Sequence, residues 1–534
     1  MNTQPIRFFH HGEITEVSGV HPTLSVLDWL REHARCTGTK EGCNEGDCGA
    51  CTVVVGELPE HTDHPADAVR GLSLRTVNAC LQFLPTLNGK ALFTVEDLKP
   101  MAGGAPHPVQ QAMVECHGSQ CGFCTPGFVM SLYQQYEQHC AMVDRPDRQQ
   151  IADGLSGNLC RCTGYRPILD AGERMFELPA VQLDTAPVIA ALRSMRSDDT
   201  FIYSAVNRHR ALDSGGLRTD HFHAPTTLGE LAALRLANPN ECVLAGSTDI
   251  GLWVTKQFRD LGDIVYLGDV AALKRVETRE GGPRDGLLDD ASPELFIGAG
   301  VSLDTAWRAL ADRWPGVAEV GLRFAGPPVR HAGTLGGNVA NGSPIGDAAP
   351  VLMALDAQIE LRRGDVVRRL PLFEFYVDYL RNVMQPGEFV QGLAVPLAST
   401  RRMVRAYKIS KRHDCDISAL CAAFSIELDG DTVRAVRLAY GGMAAIVKRA
   451  AAAESALVGR AWNAEAVEAA QQALARDFQP LSDLRASAGY RLQVAQNLLQ
   501  RFWLETRTVD PLPAQVTRVW PIRSQDAARV KAPT

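Results

Sequence analysis

Cys43-Asn44-Glu45-Gly46-Asp47-Cys48-Gly49-Ala50-Cys51, followed at a distance by Cys80, decides how the first third of the chain folds. Three cysteines spaced C-x4-C-x2-C with a remote fourth are the spacing that grips a [2Fe–2S] cluster. Four thiolates have to wrap a small, rigid, net-negative core, and the backbone must come close enough for its N–H groups to reach the sulfides. Gly42, Gly46 and Gly49 permit that approach and positive φ, and small Ala50 lets the loop close. A zinc site usually presents two separate two-cysteine knuckles, which this tight three-cysteine loop does not. Glu41, Glu45 and Asp47 make the loop acidic, which reads as a solvated rim rather than a device for lowering the potential.

The surrounding segments agree with a small α+β unit over residues 1–92. Ile6-Arg7-Phe8-Phe9 reads as a strand turned by His10-His11-Gly12-Glu13 onto Ile14-Thr15-Glu16-Val17. Leu24 to Leu30 has helical spacing with Thr23 or Ser25 as N-cap, and Thr52 to Val55 reads as a buried strand.

A second thiol set follows, Cys121-x2-Cys124 and Cys160-x-Cys162. A Cys-x-Cys pair suits one iron of a binuclear cluster better than a zinc knuckle. Each pair sits at an expected helix end, where unpaired N–H groups favour negative charge. Helices are expected over Val109–Glu115, Gly127–His139, Arg148–Gly154 and Ile168–Glu177. Of the chain's 14 cysteines, only Cys242, Cys415 and Cys421 lie beyond residue 165, so the metal chemistry belongs to the first third. Cys36, Cys116 and Cys140 read as structural thiols.

The 534 residues imply three or four domains. A net charge of −7 offers no basic field for nucleic acid or an anionic membrane. No segment has the roughly 18 apolar residues of a membrane span, and the start has no signal-peptide stretch. The expectation is a soluble, cytoplasmic protein whose thiols stay reduced and bind metal. Residues 179–218 read as a linker with at most a short helix. An α+β pattern rich in glycine follows over 219–400, strands and then two Ala-rich helices (Lys448 to Leu457 and Ala464 to Arg476) over 401–512, and a poorly ordered tail over 513–534.

Two loops in the third region can cradle a pyrophosphate. The first is Leu244-Ala245-Gly246-Ser247-Thr248-Asp249-Ile250-Gly251, after an expected strand. The second runs Gly333-Thr334-Leu335-Gly336-Gly337-Asn338 and on through Asn341-Gly342-Ser343 to Asp347. Neither is the G-x-G-x-x-G of a dinucleotide fold.

Gln120-Cys121-Gly122-Phe123-Cys124-Thr125-Pro126-Gly127 and Cys160-Arg161-Cys162-Thr163-Gly164-Tyr165-Arg166-Pro167 resemble the helical [2Fe–2S] domain of the molybdenum hydroxylases. The segments at Pro225–Leu228, Leu244–Gly251 and Phe324–Pro350 resemble the FAD domain of the xanthine dehydrogenases within that family. The resemblance covers roughly residues 5 to 500, in the order ferredoxin-like cluster, helical cluster, FAD domain, small C-terminal domain.

It implies a multidomain α+β fold: a β-grasp ferredoxin-like domain, a four-helix [2Fe–2S] domain, an FAD-binding domain of the vanillyl-alcohol-oxidase type and a small α+β flavoprotein domain. It implies Cys43, Cys48, Cys51 and Cys80 as ligands of one cluster and Cys121, Cys124, Cys160 and Cys162 as ligands of the other. Gln120, Cys124 and Cys162 would lie near the molybdopterin of a large partner subunit in an α2β2 assembly. Residues 244 to 251 with Thr334, Gly336, Gly337 and Asn338 would hold the FAD pyrophosphate. Phe324 would pack on the adenine side, Val390 near the isoalloxazine, and Asn341, Ser343, Asp347 and Lys408 would make polar contacts. The implied reaction is that of a small subunit of xanthine dehydrogenase. Electrons from xanthine oxidation on the partner would pass through the second cluster, the first cluster and FAD to NAD+, with no catalytic acid or base in this chain. The alternatives are the same subunit of another molybdenum hydroxylase, acting on an aldehyde or an N-heterocycle, and an electron-transfer module without its own molybdenum partner. The chain ends where the family's molybdenum domain would begin. Asp47 stands where a glycine is common, so the turn is expected to differ there; Asn341 stands where a hydroxyl residue is common. Tyr440-Gly441-Gly442-Met443-Ala444 reads as a tight packing turn, and His10-His11 and His221-x-His223 as surface residues.

Overall fold

Strand β3, Thr52–Glu57, is buried along its whole length, because both of its faces are covered. Val53 and Val55 enter one core with Phe8, Leu27 and Trp29, while Val54 enters another with Phe128, Leu132 and Tyr133 of the next domain. A period-2 strand with apolar residues on both faces is what such a position demands. In the computed structural model, which describes residues 3–63, 68–142, 145–211, 215–281 and 293–517, β3 belongs to a five-stranded sheet. Its order is β2-β1-β5-β3-β4, with β1 at Ile6–His10, β2 at Glu13–Val17, β4 at Ser73–Asn78 and β5 at Ala91–Phe93. The β1–β2 turn is made by His11 (φ 51°) and Gly12 (φ 82°), the left-handed pair of a two-residue hairpin. Ser25, not Thr23, caps the helix that follows, accepting from the N–H of Asp28 at 3.0 Å.

Four helices build the second domain: Pro108–Glu115, Thr125–Met142, Arg148–Gly154 and Arg166–Arg174. Their starts carry the expected signals, with Pro at the first or second turn position and a reciprocal Asp147–Gln150 capping box.

Residues 179–218 do more than link. They contain the helix Thr185–Met195 and the whole of the long strand β6, Phe201–Ala211. β6 pairs antiparallel with β7 (Leu217–Ala224) at the edge of a sheet of order β6-β7-β9-β8, in which β8 is Cys242–Leu244 and β9 is Ile264–Tyr266. Polar Ser204, Asn207 and Arg208 broke the apolar pattern of β6 in the sequence; edge position tolerates them. Asp213 and Ser214 lie outside the described residues.

A second sheet completes the FAD region, order β10-β11-β16-β12-β13: Val276–Arg279, Glu294–Gly298, Phe389–Pro396, Gln358–Arg363 and Val366–Pro371. A short hairpin, β14 (Tyr376–Asp378) with β15 (Arg381–Asn382), stands beside it. The last domain is the meander β17 (Met403–Ile409), β18 (Leu420–Asp429), β19 (Thr432–Gly441) and β20 (Lys448–Arg449). It is covered by helices Ala464–Asp477 and Ala488–Thr506 through Leu474, Leu499 and Phe502. The expected helix over Lys448–Leu457 begins only at Ala451, because Lys448 and Arg449 pair with β19. The expectation of a disordered tail falls largely on residues 518–534, outside the described residues. Among the described residues no helix is long and apolar enough to cross a membrane.

Domains meet at bare backbone. A methyl at Gly49 would lie 2.2 Å from the Gly157 carbonyl oxygen, one at Gly127 2.1 Å from the Gly49 carbonyl oxygen, and one at Gly326 2.2 Å from Gly157 Cα. Only glycine allows these three domains to close on one another.

Candidate redox sites

The loop 43–51 places Asn44, Gly46 and Gly49 in the left-handed region (φ 55°, 80° and 69°). Asp47 is not among them, so its Cβ costs nothing, and its carboxylate pairs with Arg412 at 3.3 Å. Gly42 contributes space rather than φ: a methyl there would lie 2.8 Å from Cys48 Sγ. The thiols converge in two pairs. The amide of Cys43 donates to Cys48 Sγ and that of Cys48 to Cys43 Sγ, both at 3.3 Å, while Cys51 Sγ and Cys80 Sγ are 3.3 Å apart. The hydrogen bond from Cys48 pushes the Cys43 thiol down to about 5, and the one from Cys80 lowers Cys51 against the opposing effect of burial. Asn78 Nδ2 also points at Cys51 Sγ, at 3.9 Å. Two facing thiol pairs with inward N–H groups fit a binuclear, net-negative cluster.

The second set lies at the mouths of two helices. Cys124 immediately precedes Thr125–Met142, and Cys162 precedes Arg166–Arg174, entered through Tyr165 at φ 70°. Cys160 Sγ accepts from the amides of Cys162 and Thr163, both at 3.4 Å, and its own amide donates to the Tyr165 hydroxyl at 3.1 Å. Burial raises the Cys160 thiol, but the Thr163 hydroxyl and these amides bring it below its ordinary value. Burial and the Cys160 contact push Cys124 up to about 12. The thiol contacts run Cys124 to Cys160 and Cys121 to Cys162. Each thiol of the Cys160–Cys162 pair thus meets one of the Cys121–Cys124 turn. Cys121 and Cys162 are exposed.

The two sets touch through the main chain. The Leu159 amide, next to Cys160, donates to the Cys48 carbonyl at 3.0 Å, and Asn158 Nδ2 donates to the Gly49 carbonyl at 3.1 Å.

On the FAD side, the loop 245–249 leaves the C-terminal end of parallel strand β8, where α/β sheets hold ligands. Ser247 stands at φ 63° and its hydroxyl donates to the Leu81 carbonyl, the residue after Cys80. Gln82 Nε2 donates to the Gly246 carbonyl at 3.0 Å. The two expected FAD loops meet: a methyl at Gly246 would lie 1.9 Å from the Ala332 carbonyl oxygen, and one at Gly333 3.1 Å from Thr248 Oγ1. Thr334 caps the helix Leu335–Ala340 through the Gly337 amide, and Gly336 packs on Ala299. Gly337 is exposed, and Asn338 Oδ1 is buried without a hydrogen-bond partner. A bare, glycine-lined turn leaves room for a pyrophosphate, and the orphaned Asn338 oxygen fits a hydroxyl donor of the same FAD molecule.

Other expected contacts are placed more variably. Asp347 and Lys408 form a buried ion pair at 2.7 Å, with Ser418 bonded to both. Their charges therefore satisfy each other. Val390 lies in the domain core on β16, opposite Leu361. Phe324 packs near Trp307 at 6.2 Å between ring centroids. Ser343 Oγ accepts from the Ile345 amide at 3.4 Å, while Asn341 is exposed. The sequence reading did not single out Asn158, Leu159, Leu81 or Gln82; Leu81 and Gln82 directly follow a cluster cysteine, and Asn158 and Leu159 directly precede one.

Residues 8–83 match the 2Fe-2S iron-sulfur cluster binding domain, 94–173 the [2Fe-2S] binding domain, 217–398 the FAD binding domain in molybdopterin dehydrogenase, and 405–506 the CO dehydrogenase flavoprotein C-terminal domain. The chain carries two [2Fe–2S] domains and an FAD-binding domain, followed by a flavoprotein C-terminal domain. Among similar proteins, xanthine dehydrogenase of Emericella nidulans is 31% identical over 93% of this chain and 38% of its own length. That of Drosophila subobscura is 30% identical over 83% and 34%. Aldehyde oxidase 4 of Cavia porcellus is 27% identical over 94% and 39%. The module thus spans little more than a third of these relatives. Carbon monoxide dehydrogenase from Hydrogenophaga pseudoflava aligns in structure with a TM-score of 0.47 and 26% identity, over 52% of this chain and 94% of that one. Quinoline 2-oxidoreductase from Pseudomonas putida 86 aligns with 0.47 and 21%, over 53% and 95%.

Proposed function

We propose that this chain is the iron–sulfur and FAD subunit of a bacterial-type xanthine dehydrogenase, working with a molybdopterin-binding large subunit in a cytoplasmic α2β2 assembly. The overall reaction is xanthine + NAD+ + H2O giving urate + NADH + H+. The observation that carries the reading is the pair of short bridges, Cys160–Leu159–Cys48 and Cys80–Leu81–Ser247, which would link the three proposed cofactor sites along one backbone path. When bound, the two clusters carry single electrons and FAD pairs them for a hydride acceptor.

The chain's own residues hold, orient and insulate. Cys43, Cys48, Cys51 and Cys80 would grasp one cluster and Cys121, Cys124, Cys160 and Cys162 the other. The loop from Leu244 to Gly251 and the turn Thr334 to Asn338 would hold the FAD pyrophosphate, with Phe324, Asn341, Ser343, Asp347, Val390 and Lys408 around it. The exposed ligands Cys121 and Cys162, beside Phe123 at 48% and Tyr165 at 40% exposure, would face the partner. Working boundaries of 1–92, 93–178, 219–400 and 401–512 follow the four functions, with β6 joining the FAD unit.

Purification with the partner should give about four irons and one FAD per chain, and xanthine-dependent NAD+ reduction. Oxidation of an aldehyde or an N-heterocycle in place of xanthine would move the chain to a neighbouring branch, which the likeness to aldehyde oxidase 4 favours as the second reading.

A further inference from the structure

His10, His11 and Cys36, which the sequence reading set aside as surface and structural residues, meet at the end of the β1–β2 hairpin. Their ligand atoms all lie within 4.8 Å of one another. His11 Nε2 is 3.2 Å from Cys36 Sγ and His10 Nε2 is 3.9 Å from it. The other nitrogen of each ring is committed elsewhere. His10 Nδ1 lies 3.2 Å from the Leu92 carbonyl and His11 Nδ1 2.9 Å from the Asp97 carboxylate. Each of those partners only accepts, so each Nδ1 is a donor, and in the neutral rings each Nε2 turns a lone pair toward the thiol. Two imidazole lone pairs and one sulfur converge, and a single S–H proton cannot serve both rings.

That arrangement is a metal-ligand set with its outer supports already in place. A carboxylate and a backbone carbonyl holding the far nitrogens is how ligating histidines are oriented. Zinc bonds of about 2.3 Å to sulfur and about 2.0 Å to nitrogen put tetrahedral S and N atoms roughly 3.6 Å apart. The observed 3.2 and 3.9 Å bracket that separation. His10 and Cys36 are buried while His11 is exposed, so the group meets solvent on the His11 side. Glu96, which takes the Gly38 amide through Oε1, keeps Oε2 buried without a hydrogen-bond partner, so with Asp97 it adds negative field.

We infer that His10, His11 and Cys36 bind one zinc ion, separate from both iron–sulfur clusters. The ion fastens the β1–β2 turn to the segment that enters the cluster loop, since Cys36 stands seven positions before Cys43. Its role is structural: it replaces a loose contact between two loops with three bonds.

The test uses the full complex, loaded with zinc sulfate and dialysed, with zinc, iron and FAD measured together and X-ray absorption recorded at the zinc edge, where iron is silent. About one zinc per chain with one sulfur and two imidazole nitrogens is expected, along with a rise in unfolding temperature on loading. His11→Asn, which tolerates the left-handed turn, and Cys36→Ala should lower zinc affinity at least tenfold and abolish the rise, with iron and FAD unchanged. Zinc binding equal in wild type and both variants, or a zinc shell without sulfur, would overturn the assignment. If a variant also loses iron, the sulfur and nitrogen count of the wild-type shell decides alone.

Discussion

The amide of Leu159 donates to the carbonyl oxygen of Cys48 at 3.0 Å, so a ligand of one thiol set and the neighbour of a ligand in the other share a hydrogen bond. Leu159→Pro removes the donor while leaving all eight cysteines. Iron content should hold, and the rate of electron passage from the second cluster to the first should fall. Rapid-mixing spectroscopy of the reduced complex measures it; an unchanged rate would show that this bridge is not on the path.

Each thiol set should be separable. Cys43→Ser should remove one reduced binuclear signal in electron paramagnetic resonance and leave the other; Cys121→Ser should do the converse. Loss of neither signal in either variant contradicts the ligand assignment.

Gly246→Ala pushes a methyl to 1.9 Å from the Ala332 carbonyl oxygen, so the two FAD loops must separate. FAD should be lost severalfold more readily, with about four irons retained. Flavin and iron analysis of the same preparation checks both halves.

The Asp347–Lys408 pair should show the asymmetry of buried ions. Lys408→Met alone strands the Asp347 carboxylate in the interior and should cost about 3–5 kcal/mol. The double replacement by apolar residues of similar volume should cost less than the single change. Denaturation midpoints of the single and double variants test the ordering.

His107 makes folding pH-dependent. Its Nδ1 accepts from the Val109 amide at 3.3 Å, it packs edge-on against Tyr133 and Tyr136, and burial lowers it from 6.5 to about 4. Below its unfolded value the unfolded chain takes up a proton that the folded chain refuses. Stability should therefore fall as pH drops from 6.5 towards 4, by roughly 3 kcal/mol across the window. His107→Gln should flatten that part of the stability profile.

Where chemistry forced particular residues together, the sequence was legible. Eight cysteines at fixed spacings and the glycine turns at Gly246 and Gly336 stood out because few other residues fit such positions, and the fold brings the thiols into two groups. β6 was hidden because its apolar residues are interrupted by Ser204, Asn207 and Arg208, which an edge strand allows. The 19-residue helix Ala488–Thr506 was missed for a different reason: its buried stripe of Leu498, Leu499 and Phe502 is diluted by polar residues on the solvent side. The domain contacts could not be read at all, since a glycine used for a long-range seat looks like a glycine used for a turn.

Those seats at Gly49, Gly127, Gly157 and Gly326 set a rule for anyone recombining such modules. A side chain there would act as a shim, widening the gap between carriers by its own thickness. Tunnelling decays exponentially with distance, so a substitution that scarcely alters the fold of any one domain could still throttle the traffic between them.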